Sequence, residues 1–335
     1  MGTWLLTGGA GYIGGHVVRA MQSAGLGVVV LDDLSTGLAS RVPPGVPFVR
    51  AAVQDTDAVV AALVGHGVVG VIHLAAKKAV AESCEDPLRY YAENVGGLVA
   101  LLGAMRTVGV ARLVYSSSAA VYGTVDGAAV AEGDPTRPDS PYGRTKLVGE
   151  WIVADAAAAY SMSAVCLRYF NVVGAACPDL GDTGSENLFP RVLSHLEGGT
   201  PVPVFGSDYP TPDGTCVRDY IHVADLADAH VAALALTAEP AARAVVNIGC
   251  GRGYSVLEVL SEFERVSGRP VPHVLAPRRP GDPPAMVART DHAAAYLGWS
   301  AQYGLSAMVT STRQAALQRT APNAGGVDRA YRVDS

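Results

Sequence analysis

Trp4-Leu5-Leu6-Thr7-Gly8-Gly9-Ala10-Gly11-Tyr12-Ile13-Gly14 decides the fold. Trp4 to Thr7 reads as a buried strand that runs straight into glycines at 8, 11 and 14. His16-Val-Val-Arg-Ala-Met-Gln22 then reads as a helix. Glycines at this spacing allow a tight turn, close backbone approach to a pyrophosphate, and close packing of the helix on the strand. The helix start turns its free N–H groups towards the phosphates. Val28-Val-Val-Leu-Asp32 returns as a second strand. Its terminal Asp32, about twenty residues beyond the turn, suits the ribose hydroxyls and repels a 2′-phosphate, which favours NAD over NADP.

The same rhythm continues outward. Phe48-Val49 reads as a third strand and Asp57 to Gly65 as a helix. Val68 to Ala75 is a continuous apolar run, the signature of a parallel strand covered on both faces. His73 within it reads as a packed core histidine. Lys77 and Lys78 follow the carboxyl end of that strand, where open α/β sheets bind ligands. Leu88 to Gly109 is a long helical stretch. Arg112 to Tyr115 is a strand that ends in Ser116-Ser117-Ser118, and Ser163 to Arg168 is another. The fold class is α/β: a doubly wound parallel-sheet Rossmann domain with a smaller mixed α/β substrate domain.

Ser140-Pro-Tyr-Gly-Arg-Thr-Lys146 carries the chemistry. Ser140 is a good helix N-cap and Pro141 suits the first helical position. Tyr142 and Lys146, four residues apart, share one face of that helix, which runs to about Ala159. A phenol with a pKa near ~10 needs about three units of lowering, roughly 4 kcal/mol, to act as a base at neutral pH. A lysine about 6 Å away at an effective dielectric of ~20 supplies roughly 2.8 kcal/mol. A second cation, such as an oxidised nicotinamide, closes the gap. Ser118, at a strand's carboxyl end, can hold a substrate oxygen beside Tyr142.

Beyond Asn171 the rhythm loosens, with Gly, Pro and Asp dense from Gly174 to Gly184 and from Gly199 to Gly214. The boundaries that follow are 1–170 for the dinucleotide domain and 171–320 for the substrate domain, with a chain that can cross back. Residues 321–335 form a polar tail without periodicity.

Nearly half of the 335 residues are apolar and 17% are charged, a composition suited to a full core. The net charge of −6 gives no reason to expect nucleic acid or an anionic membrane as partner. The five cysteines are scattered, without C-x-x-C spacing, so reduced thiols fit better than disulfides or a metal site. No basic leader or long apolar span is present, which points to the cytoplasm.

With these residues in hand, the chain closely resembles the UDP-glucose (UDP-galactose) 4-epimerases of the extended short-chain dehydrogenase/reductase superfamily. The carriers are TGGAGYIG (7–14), KAVAESCEDPLRYY (78–91), SSSAAVYG (116–123), SPYGRTK (140–146), RYFNVVGA (168–175), FGSDYPTPDGTCVRDYIHV (205–223) and APRRPGDPPA (276–285). The resemblance implies an NAD site of Gly8, Gly11, Tyr12, Ile13, Gly14, Asp32, Asp33, Leu34, Ser35, Thr36, Gly37, Val53, Leu74, Ala75, Ala76, Lys78, Asn94, Ser116, Tyr142, Lys146 and Phe170. It implies a UDP-sugar site of Lys78, Ser118, Tyr142, Asn171, Asn187, Leu188, Val204, Phe205, Arg218, Arg279, Asp282 and Met286. It also implies catalysis by Tyr142, Lys146 and Ser118, and a homodimer paired through the helices at about 88–109 and 142–159.

Three departures from the family pattern stand out. Ala51-Ala52 replaces Gly-Asp after the third strand, which removes the carboxylate expected on the adenine amino group. Leu74 and Ala76 replace a Phe and a Gly. Met286 stands where a Tyr or a small residue gates the space beside the sugar 2-substituent, leaving N-acetylhexoses and pentoses as alternative substrates. A nucleotide-sugar 4,6-dehydratase needs an Asp-Glu pair where this chain has Ala119 and Ala120. A non-catalytic NAD sensor would not need the intact Ser118, Tyr142 and Lys146.

Overall fold

The computed structural model describes residues 2–125, 127, 129–184, 187–279 and 282–320; the expected tail at 321–335 lies outside them. Seven parallel strands form the larger sheet, in the spatial order Arg243–Ile248, Ser163–Tyr169, Arg112–Ser118, Val68–His73, Thr3–Thr7, Gly27–Leu31 and Phe48–Val49. The chain winds outward from Thr3–Thr7 in one direction, then restarts on its other side. That reversal opens a crevice at the carboxyl ends of Thr3–Thr7 and Val68–His73, and the glycine turn leads out of it.

Strand alternation explains how both faces are covered. Leu5, Val29, Leu31, Val71 and Leu113 pack with the helices Thr56–Gly65, Gly97–Val108 and Pro141–Tyr160 on one face. Trp4, Leu6, Val28, Val30, Ile72 and Val114 pack with Tyr12–Ser23 and Val223–Leu236 on the other. Each strand therefore presents apolar side chains both ways, which is why its sequence does not alternate. Truncating a fully buried leucine such as Leu5 or Leu6 would remove about 2–5 kcal/mol of stability.

The second lobe holds smaller sheets. Val217–His222 pairs with Gly253–Ser255, Ala285–Ala288 and Asn171–Val173, while His273–Ala276 pairs with Val202–Phe205. Its core gathers Phe189, Val192, Tyr220, Val259 and Phe263. The 170/171 division falls between Ser163–Tyr169 and Asn171–Val173, which pair in different sheets. The chain then crosses back: Val223–Leu236 and Arg243–Ile248 join the first sheet, so 171–320 is not confined to one lobe. Among the described residues, no helix is long and apolar enough to cross a membrane.

Candidate active site

The glycine turn is built as its sequence demands. Gly8 has φ +73°, and a Cβ there would meet the Leu74–Ala75 backbone. A Cβ on Gly14 would lie 2.2 Å from the Gly8 carbonyl oxygen. Gly11 caps the helix Tyr12–Ser23 without a side-chain bond, which leaves the first amides of that helix without a side-chain partner. Asp32 accepts from Ala10 N at 3.0 Å and Leu34 N at 2.8 Å, one bond to each carboxylate oxygen, so each keeps capacity for a ribose hydroxyl. Burial pushes its pKa up and the two amide bonds oppose this.

A cavity of about 580 Å³ runs along the crevice. It is lined by Gly8, Gly11, Tyr12, Ile13, Gly14, Asp32, Asp33, Ser35, Thr36, Val53, Leu74, Ala75, Ala76 and Lys78, and by Tyr142 and Lys146. This set of a turn, a helix start, a diol acceptor and a phenol–ammonium end fits an extended dinucleotide.

Five residues expected at the cofactor are not among those that line this cavity. Asn94 is buried and clamps the Lys77 backbone, accepting from its N–H at 2.8 Å and donating to its carbonyl at 3.0 Å. Leu34 (φ 61°) supplies the amide that fixes Asp32, and Gly37 packs against Ala10 and Asp32. Ser116 offers its carbonyl to Lys146, and Phe170 lies in a core cluster with Val121, Tyr122 and Leu147. Conversely, Arg41, Gln54, Glu93, Tyr169 and the 182–184 segment line the cavity without having been anticipated. Tyr169 ends the strand Ser163–Tyr169 and Arg41 a 3-10 turn, Gln54 and 182–184 lie in loops, and Glu93 sits in a helix irregularity.

That irregularity interrupts the anticipated Leu88–Gly109 helix. Pro87–Tyr90 and Gly97–Val108 flank a π-helical turn, Tyr91–Gly96, and the stretch stops at Gly109 with φ 82°. Such wide turns concentrate at functional sites.

At the far end, Ser140 caps Pro141–Tyr160 by accepting from Gly143 N at 3.1 Å. Gly143 lets this helix seat on the Ala119–Val121 turn, because a Cβ there would lie 2.5 Å from the Ala120 carbonyl oxygen. Tyr142 is buried; burial pushes its phenol up and a hydrogen bond with Ser118 pulls it down. Lys146 Nζ donates to Ser116 O at 2.8 Å and lies 5.3 Å from the Tyr115 ring centre and 6.0 Å from that of Tyr142. The ammonium bonds to a carbonyl, and burial lowers its own pKa to about 8, with Glu150 opposing. His73, buried against Tyr115 and bonded to Thr7 Oγ1 at 2.7 Å, is the core residue anticipated.

Behind the site lies a buried ion pair. Arg168 grips Glu150 through Nε at 2.8 Å and Nη2 at 2.6 Å, and Ser117 Oγ donates to the same carboxylate at 2.5 Å. Arg168 Nη1 continues to Tyr122, which donates to Asn247 at 2.7 Å.

A second cavity, about 190 Å³, lies in the second lobe. Of the residues anticipated for the UDP-sugar, Asn171, Asn187, Leu188, Phe205, Arg218, Arg279 and Asp282 line it. Arg218 pairs with Asp282 at 3.2 Å, and Arg279 sits 3.9 Å from the Phe205 ring centre. Lys78 and Tyr142 line the larger cavity instead, Ser118 reaches Tyr142, and Met286 packs against the Phe170 cluster. Val204 is corrected: strand alternation turns it fully into the core, while Pro203 and Phe205 face the cavity. Arg191, Tyr220 and Val256 line it unanticipated.

A glycine turn at the reversal of a parallel sheet, with Ser, Tyr and Lys in the same crevice, defines a dinucleotide-using enzyme of the short-chain dehydrogenase/reductase class. Residues 4–249 match the model of the NAD dependent epimerase/dehydratase family, and the chain belongs to that family. It is 44% identical to the UDP-glucose 4-epimerase of Azospirillum brasilense over 88% of this chain and 86% of that one. It is 45% identical to that of Streptomyces lividans, over 89% and 91%. The UDP-glucose 4-epimerase structure from Stenotrophomonas maltophila, with bound NAD and formylated UDP-arabinopyranose, superposes with a TM-score of 0.91 at 42% identity, covering 96% of this chain and all of that one. The UDP-Glc/GlcNAc 4-epimerase of Campylobacter jejuni superposes at 0.84 with 33% identity, over 95% and 100%.

Proposed function

We propose that this protein interconverts UDP-galactose and UDP-glucose at sugar C4, keeping NAD bound throughout. The observation that carries the reading is the buried Tyr142 phenol in the same cavity as the Lys146 ammonium, the glycine turn and Asp32. The amides following Gly11 receive the cofactor pyrophosphate, Asp32 takes the adenosine ribose, and Lys146 takes the nicotinamide ribose. When bound, NAD supplies the acceptor and donor for the hydride of C4.

Tyr142, as phenolate, removes the 4-hydroxyl proton and later returns it to the opposite configuration. Ser118 keeps the sugar oxygen in line with that phenol, and the Lys146 charge stabilises the phenolate. Arg218 and Arg279 hold the diphosphate of the UDP-sugar, with Asn171, Asn187, Leu188, Phe205 and Asp282 around it. A firm grip there, with looser contact at the hexose, lets the 4-keto sugar turn over about its bond to the diphosphate. Ala119 and Ala120, at the 4,6-dehydratase positions, provide no acid–base pair for eliminating water.

The two helical stretches expected at the dimer expose Leu88, Tyr91, Val99 and Trp151, which supports pairing of two copies there. A cytoplasmic setting follows the epimerase reading. Met286, only partly buried, leaves N-acetylated sugars as a second reading. Incubating purified protein with UDP-galactose and with UDP-N-acetylgalactosamine tests both. Conversion of UDP-galactose at the higher rate, abolished by Tyr142→Phe, is expected; a clearly better rate on the N-acetyl sugar overturns the substrate assignment.

A further inference from the structure

Sheet order fixes which end of the larger cavity takes the adenine. Asp32 ends Gly27–Leu31, and the next strand out, Phe48–Val49, leads into Ala51-Ala52-Val53-Gln54, all four of which line that cavity. A purine lying beyond the Asp32-bound ribose presents an exocyclic amine that donates hydrogen bonds. The side chains of Ala51 and Ala52 offer it only methyl groups. Gln54 belongs to that segment and is bonded to Glu93, and both side chains carry acceptor oxygens and line the cavity.

Glu93 is held in place rather than free. Gln54 Nε2 donates to Glu93 Oε2 at 2.8 Å and to its backbone carbonyl at 3.5 Å. Gln54 is itself seated on Gly97, where an added Cβ would come within 3.5 Å of its Nε2. The π-turn Tyr91–Gly96 gives the neighbouring residues different tasks: Asn94 turns inward to the Lys77 backbone, while Glu93 stays at the cavity wall. Among the described residues, no hydrogen bond or ion pair engages Glu93 Oε1.

We propose that Glu93, steadied by Gln54, accepts from the exocyclic amine of the adenine and replaces the side-chain acceptor that Ala52 lacks. This rests on the reading of the larger cavity as an NAD site. It makes the contact a matter of base identity, because a carboxylate is matched to an amine and opposed to a carbonyl oxygen.

A competition experiment reads this without turnover. Purified protein is incubated with an excess of an equimolar mixture of NAD and nicotinamide hypoxanthine dinucleotide, in which a carbonyl replaces the amine. It is then desalted, and the retained nucleotides are quantified. A charge-assisted bond at a partly solvated edge should give roughly a tenfold preference for NAD in the wild type. Glu93→Ala should bring the ratio to about one, and Glu93→Gln, whose amide can present either its oxygen or its NH₂, should fall within about twofold of one. Ala52→Asp should restore the preference in the Glu93→Ala background, as expected of two acceptors serving one donor. A Glu93→Ala protein that keeps the wild-type ratio overturns the proposal. A wild type that retains neither dinucleotide overturns the NAD reading beneath it.

Discussion

The ammonium of Lys146 stands 6.0 Å from the centre of the Tyr142 ring while donating at 2.8 Å to the carbonyl of Ser116. Its charge therefore acts on the phenol through space, and burial works against both groups. Catalysis by this pair demands that the lysine stay protonated. With its pKa near 8, the rate should fall as the pH rises above about 8. Glu150 raises that pKa, so Glu150→Gln should move the alkaline limb of the pH–rate profile to lower pH. An unmoved limb would mean that another group titrates there.

Tyr142→Phe keeps the ring that fills the cavity and removes the proton acceptor. Turnover should drop by a factor of about 10² to 10⁴, the usual reach of a general base, with NAD still retained. Rate assays beside nucleotide extraction check both halves. A near-normal rate would reject the assigned base.

The Arg168–Glu150 pair is buried on both sides, with two charge-assisted bonds. Arg168→Met leaves a carboxylate without its cation and should cost about 3–5 kcal/mol in urea unfolding. Replacing both partners with apolar residues should cost less than that single change.

Four buried histidines set the acid response. Burial lowers His16, His222 and His230 to about 4 and His73 to about 3, against 6.5 in the unfolded chain. Their folded pKa values are depressed, so the stability they contribute is complete above pH 6.5 and is lost as the pH falls towards 4. Asp219, raised to about 6 by burial, opposes this below pH 6. The unfolding free energy from urea titrations should thus begin to fall between pH 7 and 6, by up to about 1.4 kcal/mol per histidine per pH unit, and the midpoint with it. A midpoint that is flat or rises between pH 7 and 5.5 would contradict this.

Arg191 lines the smaller cavity with Arg218 and Arg279, its guanidinium 5.9 Å from the Phe205 ring centre. On the proposed placement of the diphosphate in this cavity Arg191 is a further cation for it, so Arg191→Gln should raise KM for UDP-galactose about five- to tenfold and leave kcat nearly unchanged. A fall in kcat at constant KM would place it in the chemistry instead.

What the sequence made legible divides along physical lines. The glycine turn, Asp32, the Ser140 cap and the Tyr142–Lys146 face follow from local spacing, and each stands where that spacing puts it. The anticipated 88–109 helix was right in extent but concealed its π-turn, since residue type does not reveal a shift from i+4 to i+5 bonding. Val204 was placed in the substrate site although alternation within a four-residue strand gives that role to Pro203 and Phe205. Arg191 lies one turn beyond the anticipated Leu188 and Gln54 directly follows Val53, but neither residue type signals a ligand by itself; Glu93 reaches Gln54, 39 residues away, only through tertiary packing.

The central claim is a reversible oxidation at C4 in which the hydrogen removed from the carbon comes back from within the site. Epimerising UDP-galactose in deuterium oxide and examining the product by proton NMR tests it most directly. Retention of protium at C4 is the expected result; deuterium at that carbon would mean exchange with solvent and would contradict the mechanism.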